Sequence, residues 1–191
     1  MILGVILARG GSKRLPHKNM LPFCGHPLVT WTISAARMAG CLDEIIVSSD
    51  DDEILRIARL YGADILKRPK ALATSEMSSY PPLLHAIGNA KSVPDYAVLL
   101  QPTSPLRLPG DIHACTAMAV MNGAAACVSF EEGKDVPNGA VYVGNVQWLR
   151  DGGNFDGPAP LKYRMPAIRS FDINTKEEFD EAEKAAELLI V

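Results

Sequence analysis

Apolar runs alternate along the chain with stretches whose apolar residues recur at helical spacing. The apolar runs are typical of buried parallel strands and occupy residues 2–8, 44–48, 63–66, 96–100, 124–130 and 140–143. The helical stretches cover residues 26–39, 51–61, 79–90, 111–121 and 176–189. Strands that alternate with helices predict an α/β domain, in which a mostly parallel sheet carries helices on both faces through right-handed crossovers.

Two capping-box patterns and one loop-like stretch complete this prediction. Asp50 followed by Glu53, and Thr175 followed by Glu178, predict the starts of the second and the last helix. Residues 146–160 are rich in Gly, Asp and Pro, which indicates a loop. No internal repeat or linker is visible, so residues 1–191 are expected to form one domain.

The composition narrows the class of protein and of partner. A formal net charge of −3 does not predict a surface that binds nucleic acid. The four cysteines contain no C-x-x-C pair, which favours reduced thiols in a cytoplasmic protein over a zinc or redox motif. The apolar N-terminal run precedes its basic residues and is too short for a membrane span, so we interpret it as a strand and expect no membrane partner.

A glycine-rich basic loop follows the first predicted strand. Gly10 and Gly11 are adjacent, and four basic residues surround them: Arg9, Lys13, Arg14 and Lys18. We expect Gly10 or Gly11 to adopt a positive φ or to point its N–H at a bound anion, as in an anion-binding nest. A triphosphate would neutralise this cluster, and the alternative is a solvated basic turn. The loop matches neither the Walker A motif nor the G-x-G-x-x-G fingerprint, which argues against a P-loop ATPase and a dinucleotide-dependent dehydrogenase.

Two further segments carry candidate ligand-binding side chains. Gln101 follows the fourth predicted strand, residues 96–100, where its amide can read the edge of a base or a sugar. The alternative is a rigid β–α connection without a ligand. Asp172 and Asn174 face the same side if their segment is extended, so both can direct an oxygen at a hard cation such as Mg²⁺. The alternative for this segment is that Asn174 or Thr175 only caps the last helix.

Four segments together resemble a known family. They lie at residues 8–19, 100–107, 138–143 and 170–175, and their order and spacing resemble the acylneuraminate cytidylyltransferases, the CMP-sialic acid synthetase family. The most specific segment is the first, which begins Ala8-Arg9-Gly10-Gly11-Ser12-Lys13. Arg68-Pro69 and residues 73–79 also resemble the loop before the family's base pocket. The resemblance extends over nearly the whole chain and implies a Rossmann-like nucleotidyltransferase fold.

The resemblance also implies a reaction and a role for each matching position. CMP would pass from CTP to the anomeric hydroxyl of an N-acylneuraminate-type sugar, which gives the CMP-sugar and pyrophosphate. The catalytic residues would be Arg9, Lys18 and Asp172. The nucleotide would contact Leu7, Ala8, Arg9, Gly10, Gly11, Ser12, Lys13, Lys18, Asn19, Arg68, Ser78 and Ser79. The acidic sugar would contact Gln101, Thr103, Ser104, Arg107 and Tyr142. A Mg²⁺ or Mn²⁺ ion would bind Asp172 and Asn174.

The chain departs from the family pattern in two places. Asn174 stands where the family usually has a second Asp, and residues 131–137 replace a longer segment that contributes to the sugar pocket and the homodimer contact. We therefore expect weaker metal binding, and either a weak homodimer or one formed through another surface. Three functions stay open beside the first: transfer to another nonulosonic acid (legionaminic or pseudaminic), use of another nucleotide and sugar phosphate, and nucleotide binding with little catalysis.

Overall fold

The computed structural model describes residues 1–12, 14–157 and 160–189. Its strands are β1 (Ile2–Leu7), β2 (Pro22–Phe23), β3 (His26–Pro27), β4 (Glu44–Ser49), β5 (Asp64–Lys67), β6 (Tyr96–Leu100), β7 (Ala126–Glu131), β8 (Pro137–Asn145) and β9 (Leu161–Met165). Its α-helices are α1 (Leu28–Met38), α2 (Asp52–Leu60), α3 (Tyr80–Gly88), α4 (Pro109–Met121), α5 (Val146–Arg150) and α6 (Lys176–Glu187). Short 3₁₀ turns cover Lys18–Met20, Lys70–Leu72 and Ala167–Arg169.

Seven of these strands form one twisted sheet in the order β5-β4-β1-β6-β8-β7-β9. β8 runs antiparallel to both of its neighbours, and the other pairs are parallel. The remaining two strands, β2 and β3, pair as a small separate hairpin. The predicted α/β domain with a mostly parallel sheet is therefore confirmed.

Helices cover both faces of the sheet because successive strand residues point to opposite sides. Ile6 and Val98 pack into one core with α1, α2 and α4, whereas Val5 and Leu99 pack into a second core with α3 and α5. These four side chains are at most 4% exposed, and each buried aliphatic side chain of this size contributes about 1.5–3 kcal/mol to folding. The helices on both faces match the prediction.

A third cluster holds the segment before α6 against the sheet. Ile173 is fully buried beside Phe23 and Phe179, and its N–H donates to the carbonyl of Thr103 at 2.8 Å. Thr175 caps α6 as predicted, since its hydroxyl accepts from the N–H of Glu178 and the Glu178 carboxylate accepts from the Thr175 N–H. The residues on either side of Ile173 are thereby fixed next to the loop that follows β6.

The start of α2 differs from the prediction. Asp51, not Asp50, is the N-cap, and its carboxylate accepts from the N–H groups of Glu53 and Ile54. Asp50 instead accepts from the N–H of Gly10 at 3.0 Å. Either aspartate satisfies the local capping pattern, and the tertiary contact with the basic loop decides between them.

The β2–β3 hairpin, α5 and β9 were missed, and one helix start was placed too early. Residues 146–160 were predicted as a loop, but the structure has α5 there, capped by the side chain of Asn145. β9 follows at the edge of the sheet. His26 and Pro27 belong to the β2–β3 hairpin, so α1 begins only at Leu28. Within residues 1–12, 14–157 and 160–189, no helix is long and apolar enough to cross a membrane.

Candidate active site

A cavity of about 500 Å³ opens at the carboxyl ends of β1, β5 and β6. Ligands bind at this edge in open α/β sheets, and the volume suits a small molecule. Eleven of the predicted site residues line it: Leu7, Arg9, Ser12, Lys18, Asn19, Arg68, Ser78, Ser79, Gln101, Thr103 and Asn174. Seven others do not form its wall: Ala8, Gly10, Gly11, Ser104, Arg107, Tyr142 and Asp172. Lys13 lies outside the described residues.

The two glycines of the basic loop lack the predicted positive φ, and the Gly10 N–H is not available to a bound anion, whereas an anion contact of the Gly11 N–H stays a prediction. The Asp50 carboxylate accepts from the Gly10 N–H at 3.0 Å. A Cβ on Gly10 would come within 2.7 Å of Asp51 Oδ2, whereas a Cβ on Gly11 would meet nothing within 4 Å. Glycine is therefore required at position 10 because the N-terminus of α2 approaches closely, not because the backbone is left-handed.

Four cations of the cavity share an uncommon environment. Each is held by a neutral oxygen: Arg9 Nη1 by the carbonyl of Thr74 (2.9 Å), Arg14 Nη2 by Asn174 Oδ1 (2.8 Å), Lys18 Nζ by the carbonyl of Ile173 (2.5 Å) and Arg68 Nη2 by the carbonyl of Ser48 (2.5 Å). In the part of the chain that the structure describes, none of the four makes an ion pair. The cavity therefore concentrates positive charge that its own contacts orient but do not neutralise.

Several cations elsewhere on the molecule do form ion pairs, although Arg37 and Arg107 are also held by neutral oxygens. Arg56 pairs with Glu53 at 2.7 Å, and Lys91 pairs with Asp64 at 2.5 Å. An excess of cations without carboxylate partners is unfavourable in the free protein and becomes favourable when an anion binds. This contrast indicates an anion-binding site at the carboxyl edge of the sheet.

Lys18 is the cation whose charge is most sensitive to this environment. Burial lowers its pKa to about 8; Asp172 opposes this shift, and Arg14 adds to it. An anionic ligand beside the ammonium would raise the pKa again, because it stabilises the protonated form.

CTP affinity is therefore expected to fall as pH rises through about 8, since a neutral Lys18 no longer attracts phosphate. Well below that pH the Lys18 ammonium is charged, so its contribution to CTP affinity does not change with pH. Calorimetric titration with CTP on both sides of pH 8 measures the effect, and Lys18→Arg should remove it because a guanidinium stays protonated. A wild-type affinity that does not change across this range would show that Lys18 makes no charge-dependent contact.

Asn19 and Arg68 belong to the cavity wall at the ends of β1 and β5. The amide of Asn19 donates to the carbonyl of Arg9 at 2.9 Å, which fixes the turn of the basic loop. Arg68 is only 5% exposed, burial lowers its pKa, and its Nε has no partner among the described residues. An unpaired donor on a buried guanidinium that lines the cavity is suited to a ligand acceptor.

Gln101 links the cavity to a second group of polar side chains. It shares a hydrogen bond with Tyr142, whose pKa burial raises to about 12, and its Oε1 lies 3.3 Å from the hydroxyl oxygen of Thr103. The Thr103 hydroxyl donates its one proton in the shorter contact, to Asp172 Oδ1. Gly139 of β8 has φ +82°, which favours glycine, and a Cβ there would make ordinary contacts of 3.6 Å with Gln101 Nε2 and 3.5 Å with the carboxyl carbon of Asp172. Tyr142 and Asp172 therefore lie directly behind the cavity wall.

Two residues predicted to bind sugar are internal to the protein. Arg107 is 2% exposed, and it donates to the carbonyl of Ala140 at 2.8 Å and to the hydroxyl of Thr32 at 2.7 Å. Burial lowers its pKa to about 9. Ser104 is fully buried. These contacts tie the loop after β6 to α1 and β8, so Arg107 positions the wall and is not brought to the cavity.

Asp172 and Asn174 lie on one side of their segment as predicted, but they do not direct two oxygens at one point. Asn174 Nδ2 donates to Asp172 Oδ2 at 2.9 Å, and Asn174 Oδ1 accepts from Arg14. No group of three or more His, Cys, Asp or Glu side chains within the described ranges can hold a metal ion. Asp172 has Thr103 on one carboxylate oxygen and Asn174 on the other, so a divalent cation here would share that carboxylate with these donors and would take its remaining ligands from phosphate oxygens and water.

Part of the wall was anticipated only as a segment and not residue by residue. The loop between β5 and α3 contributes Leu72, Thr74, Ser75, Glu76 and Met77. This loop has no periodic pattern, and its polar residues resemble an ordinary connection. Its signals are the family resemblance of residues 73–79 and its place after a strand end, where loops of such sheets reach the ligand.

Solved structures of nucleotidyltransferases share this arrangement of strands and helices. CMP:2-keto-3-deoxy-manno-octonic acid synthetase complexed with CTP superposes with a TM-score of 0.80 at 13% identity, covering 98% of this chain and 99% of that one. A nucleotidyl transferase from Methanothermobacter gives 0.72 at 16% identity, with 98% and 99% covered. A manganese complex from Mycobacterium tuberculosis gives 0.70 at 16% identity, with 96% and 98% covered.

The chain belongs to the cytidylyltransferase family, whose family model matches residues 3–131. N-acylneuraminate cytidylyltransferase of Escherichia coli O18:K1:H7 is 30% identical over 212 residues, which cover 94% of this chain and 50% of that protein. Pseudaminic acid cytidylyltransferase of Campylobacter jejuni is 42% identical over 108 residues, covering 54% and 47%. CMP-N,N'-diacetyllegionaminic acid synthase of Legionella pneumophila is 38% identical over 131 residues, covering 63% and 56%.

These alignments also show differences in length. The chain spans about half the length of the curated relatives it matches. The alignment with the Escherichia coli protein runs over 212 positions although this chain has 191 residues, so that relative has positions without a counterpart here. Between β7 and β8 the chain makes only a short hairpin, in which Gly133 (φ +78°) allows the turn and Lys134 bonds to Glu131.

Proposed function

We propose that this protein transfers CMP from CTP to the anomeric hydroxyl of an acidic nonulosonic sugar of the N-acylneuraminate type, and releases pyrophosphate. The observation that carries the proposal is the set of four cations held only by neutral oxygens around one cavity. A triphosphate supplies the missing negative charge, and the names of the family and of its relatives supply the cytidine and the sugar class.

The reaction needs little covalent chemistry from the protein. The anomeric hydroxyl oxygen attacks the α-phosphorus of CTP, the bond to the β-phosphate oxygen breaks, and the hydroxyl proton passes to water. Arg9 and Lys18 would hold the triphosphate, while Arg68 with Ser78 or Ser79 would contact the cytosine. Positioning of the two substrates and compensation of the phosphate charge supply most of the rate.

The sugar would be bound on the Gln101 side of the cavity. Its amide is oriented by Tyr142 and lies next to Thr103, so a fixed donor and acceptor face the ligand. Ser104 and Arg107 would act indirectly, by holding this loop in place.

One protein carboxylate would bind a divalent ion in this reaction. Asp172 would hold Mg²⁺ or Mn²⁺ together with phosphate oxygens, and the ion would withdraw charge from the reacting phosphate. Asn174 directs its NH₂ group at Asp172 and its oxygen at Arg14, so its main role is to orient these two side chains.

The identity of the sugar has a specific alternative. The relatives named for pseudaminic and legionaminic acids are more identical over the regions they match than the N-acylneuraminate enzyme is over its own. The short β7–β8 hairpin changes the region that the resemblance assigns to the sugar and to the dimer. We therefore keep another nonulosonic acid as the second candidate, and a weak or differently formed homodimer and a location in the cytoplasm stay predictions.

Pyrophosphate release is the decisive test of this function. We expect turnover with CTP to exceed turnover with GTP, ATP or UTP by about a hundredfold or more, because a hydrogen-bonded base site rejects bases with the wrong edge. The acceptors are N-acetylneuraminic, pseudaminic, N,N'-diacetyllegionaminic and 2-keto-3-deoxyoctonic acids, each added separately. Tight CTP binding without pyrophosphate release from any acceptor would instead support a nucleotide-binding homologue.

A further inference from the structure

A buried ion pair lies outside the cavity, between residues to which the proposed function gives no role. Asp111, in the first turn of α4, is fully buried, and its Oδ1 lies 3.1 Å from Arg169 Nη1. In the part of the chain that the structure describes, it is the one ion pair whose carboxylate is inaccessible to solvent. A carboxylate removed from water needs several protein donors, so this pair fixes the segments that supply them.

Three donors from three segments meet at Asp111. Its Oδ1 also accepts from the hydroxyl of Tyr163 in β9 at 3.1 Å, and its Oδ2 accepts from the N–H of Leu108 at 2.9 Å. Burial and the Asp111 charge raise the pKa of Tyr163 to about 12, so this hydroxyl keeps its proton and donates. The carboxylate therefore joins β9, the end of the loop after β6, and the 3₁₀ turn that contains Arg169.

The loop after β6 connects this ion pair to Gln101. Leu108 directly follows Arg107, whose Nη1 donates to the carbonyl of Gln101 at 3.3 Å. Arg107 is 2% exposed, and a closely packed side chain transmits a shift of its neighbours. A displacement of Leu108 would therefore also move the backbone of Gln101.

The turn that contains Arg169 leads to Asp172. Ser170 fastens this turn, because its hydroxyl accepts from Asn138 Nδ2 at 2.8 Å and donates to the carbonyl of Pro166 at 3.0 Å. Arg169 is thus held three residues before Asp172, with one buried hydrogen-bonded residue directly after it.

The loop after β6 and the segment before α6 are therefore joined at two places. At the cavity, Thr103 donates to Asp172 and accepts from the N–H of Ile173. Away from the cavity, the Asp111–Arg169 pair supplies the second connection. Two connections fix both the separation and the angle of the two segments, whereas a single connection would leave a hinge.

We propose that the Asp111–Arg169 pair positions the acceptor-binding side chain of Gln101 relative to Asp172, the proposed metal ligand. The inference rests on the proposed function and adds to it two positioning residues that touch no substrate. A misplacement of about 1 Å between reacting groups can lower a rate about a hundredfold. Loss of the pair should therefore affect turnover and metal binding more than nucleotide binding, because the proposed nucleotide contacts belong largely to other segments.

Arg169→Gln is the main variant, because Arg169 is partly exposed and its loss leaves two donors on Asp111. The measurements are kcat for pyrophosphate release with the best acceptor of the panel above, CTP affinity by calorimetry in EDTA, and Mn²⁺ affinity of the CTP complex by electron paramagnetic resonance. We expect kcat to fall about ten- to a hundredfold and Mn²⁺ affinity about tenfold, while CTP affinity stays within about twofold. Arg169→Lys keeps the charge and should recover part of both losses.

Tyr163→Phe is the matched control. It removes a donor from the same carboxylate but leaves the connection between the two segments, so it should lower the unfolding temperature and leave kcat within about twofold of the wild type. All assays are run at a temperature at which every variant is folded. A loss of kcat in Tyr163→Phe as large as in Arg169→Gln would mean that the pair serves stability, and would overturn the inference.

The inference also fails if Arg169→Gln keeps the wild-type kcat or the wild-type Mn²⁺ affinity. A loss of CTP affinity in EDTA as large as the loss of kcat would show a general distortion of the cavity, and would overturn it as well. If the wild type releases no pyrophosphate with any acceptor, the proposed function fails, while the Mn²⁺ affinity still decides whether the pair positions Asp172.

Discussion

Replacing Arg9 by alanine is expected to weaken CTP binding about a hundredfold while the fold stays intact. Arg9 follows β1 directly, and its Nη1 donates to the carbonyl of Thr74 in the loop between β5 and α3. The substitution therefore removes a phosphate contact and also releases the loop that carries Ser78 and Ser79. Lys18→Ala should cause a loss of similar size, because it removes the second cation and its bond to Ile173.

The measurement is CTP affinity together with kcat/KM for pyrophosphate release. Arg37→Ala is the control, since it deletes an exposed guanidinium that is also bonded to a backbone carbonyl. The unfolding temperatures should be close to that of the wild type, because neither Arg9 nor Lys18 belongs to the hydrophobic cores. Wild-type affinity and rate in both Arg9→Ala and Lys18→Ala would mean that the triphosphate binds elsewhere.

The strands that the sequence predicts best are those with purely apolar runs. β6 has the predicted bounds, because five consecutive buried residues lie in the middle of the sheet and need no tertiary information to be recognised. β9 was missed for the opposite reason. It lies at the sheet edge, pairs only with β7, and alternates charged with partly buried residues, so its pattern matches that of a surface loop.

The basic loop shows that the local sequence pattern does not fully predict the backbone conformation. Two adjacent glycines beside four basic residues marked a segment that reaches the cavity, but the predicted positive φ was wrong. The N–H of Gly10 is directed at Asp50, and the close approach of Asp51 requires the glycine. Both aspartates are distant in sequence, so a contact between two strand ends sets a conformation that the local pattern does not specify.

Arg107 shows the same limit for a side chain. A basic residue just after a strand end resembles a ligand contact, yet it is buried by Thr32 and by the carbonyl of Ala140. Thr32 lies in α1 and Ala140 in β8, and only the folded topology brings them together. Asp172 and Asn174, in contrast, were paired correctly, because the spacing of an extended segment places them on one side.

Turnover is expected to fall about a thousandfold or more in Asp172→Asn, the largest loss predicted for the metal side of the site. Asp172 is the one carboxylate beside the cavity that Thr103 and Asn174 both orient. An asparagine keeps the shape and loses the charge. Asp156→Asn, on an exposed loop residue, is the control for the general loss of a carboxylate.

The metal itself is expected to bind weakly to the free protein and clearly to the CTP complex, because Mg²⁺ relies on phosphate oxygens and water where protein ligands are few. Titration of the free protein and of the CTP complex with Mn²⁺, followed by electron paramagnetic resonance, compares the two states.

Asn174→Asp should lower the Mg²⁺ concentration needed for half-maximal rate, since it adds a second carboxylate. The same variant should bind pyrophosphate more weakly in EDTA, where that carboxylate only neutralises Arg14. The two effects are opposite because residue 174 lies between Arg14 and Asp172, the proposed metal ligand. An Asn174→Asp rate curve that overlays the wild type, together with a fully active Asp172→Asn, would remove this segment from the mechanism.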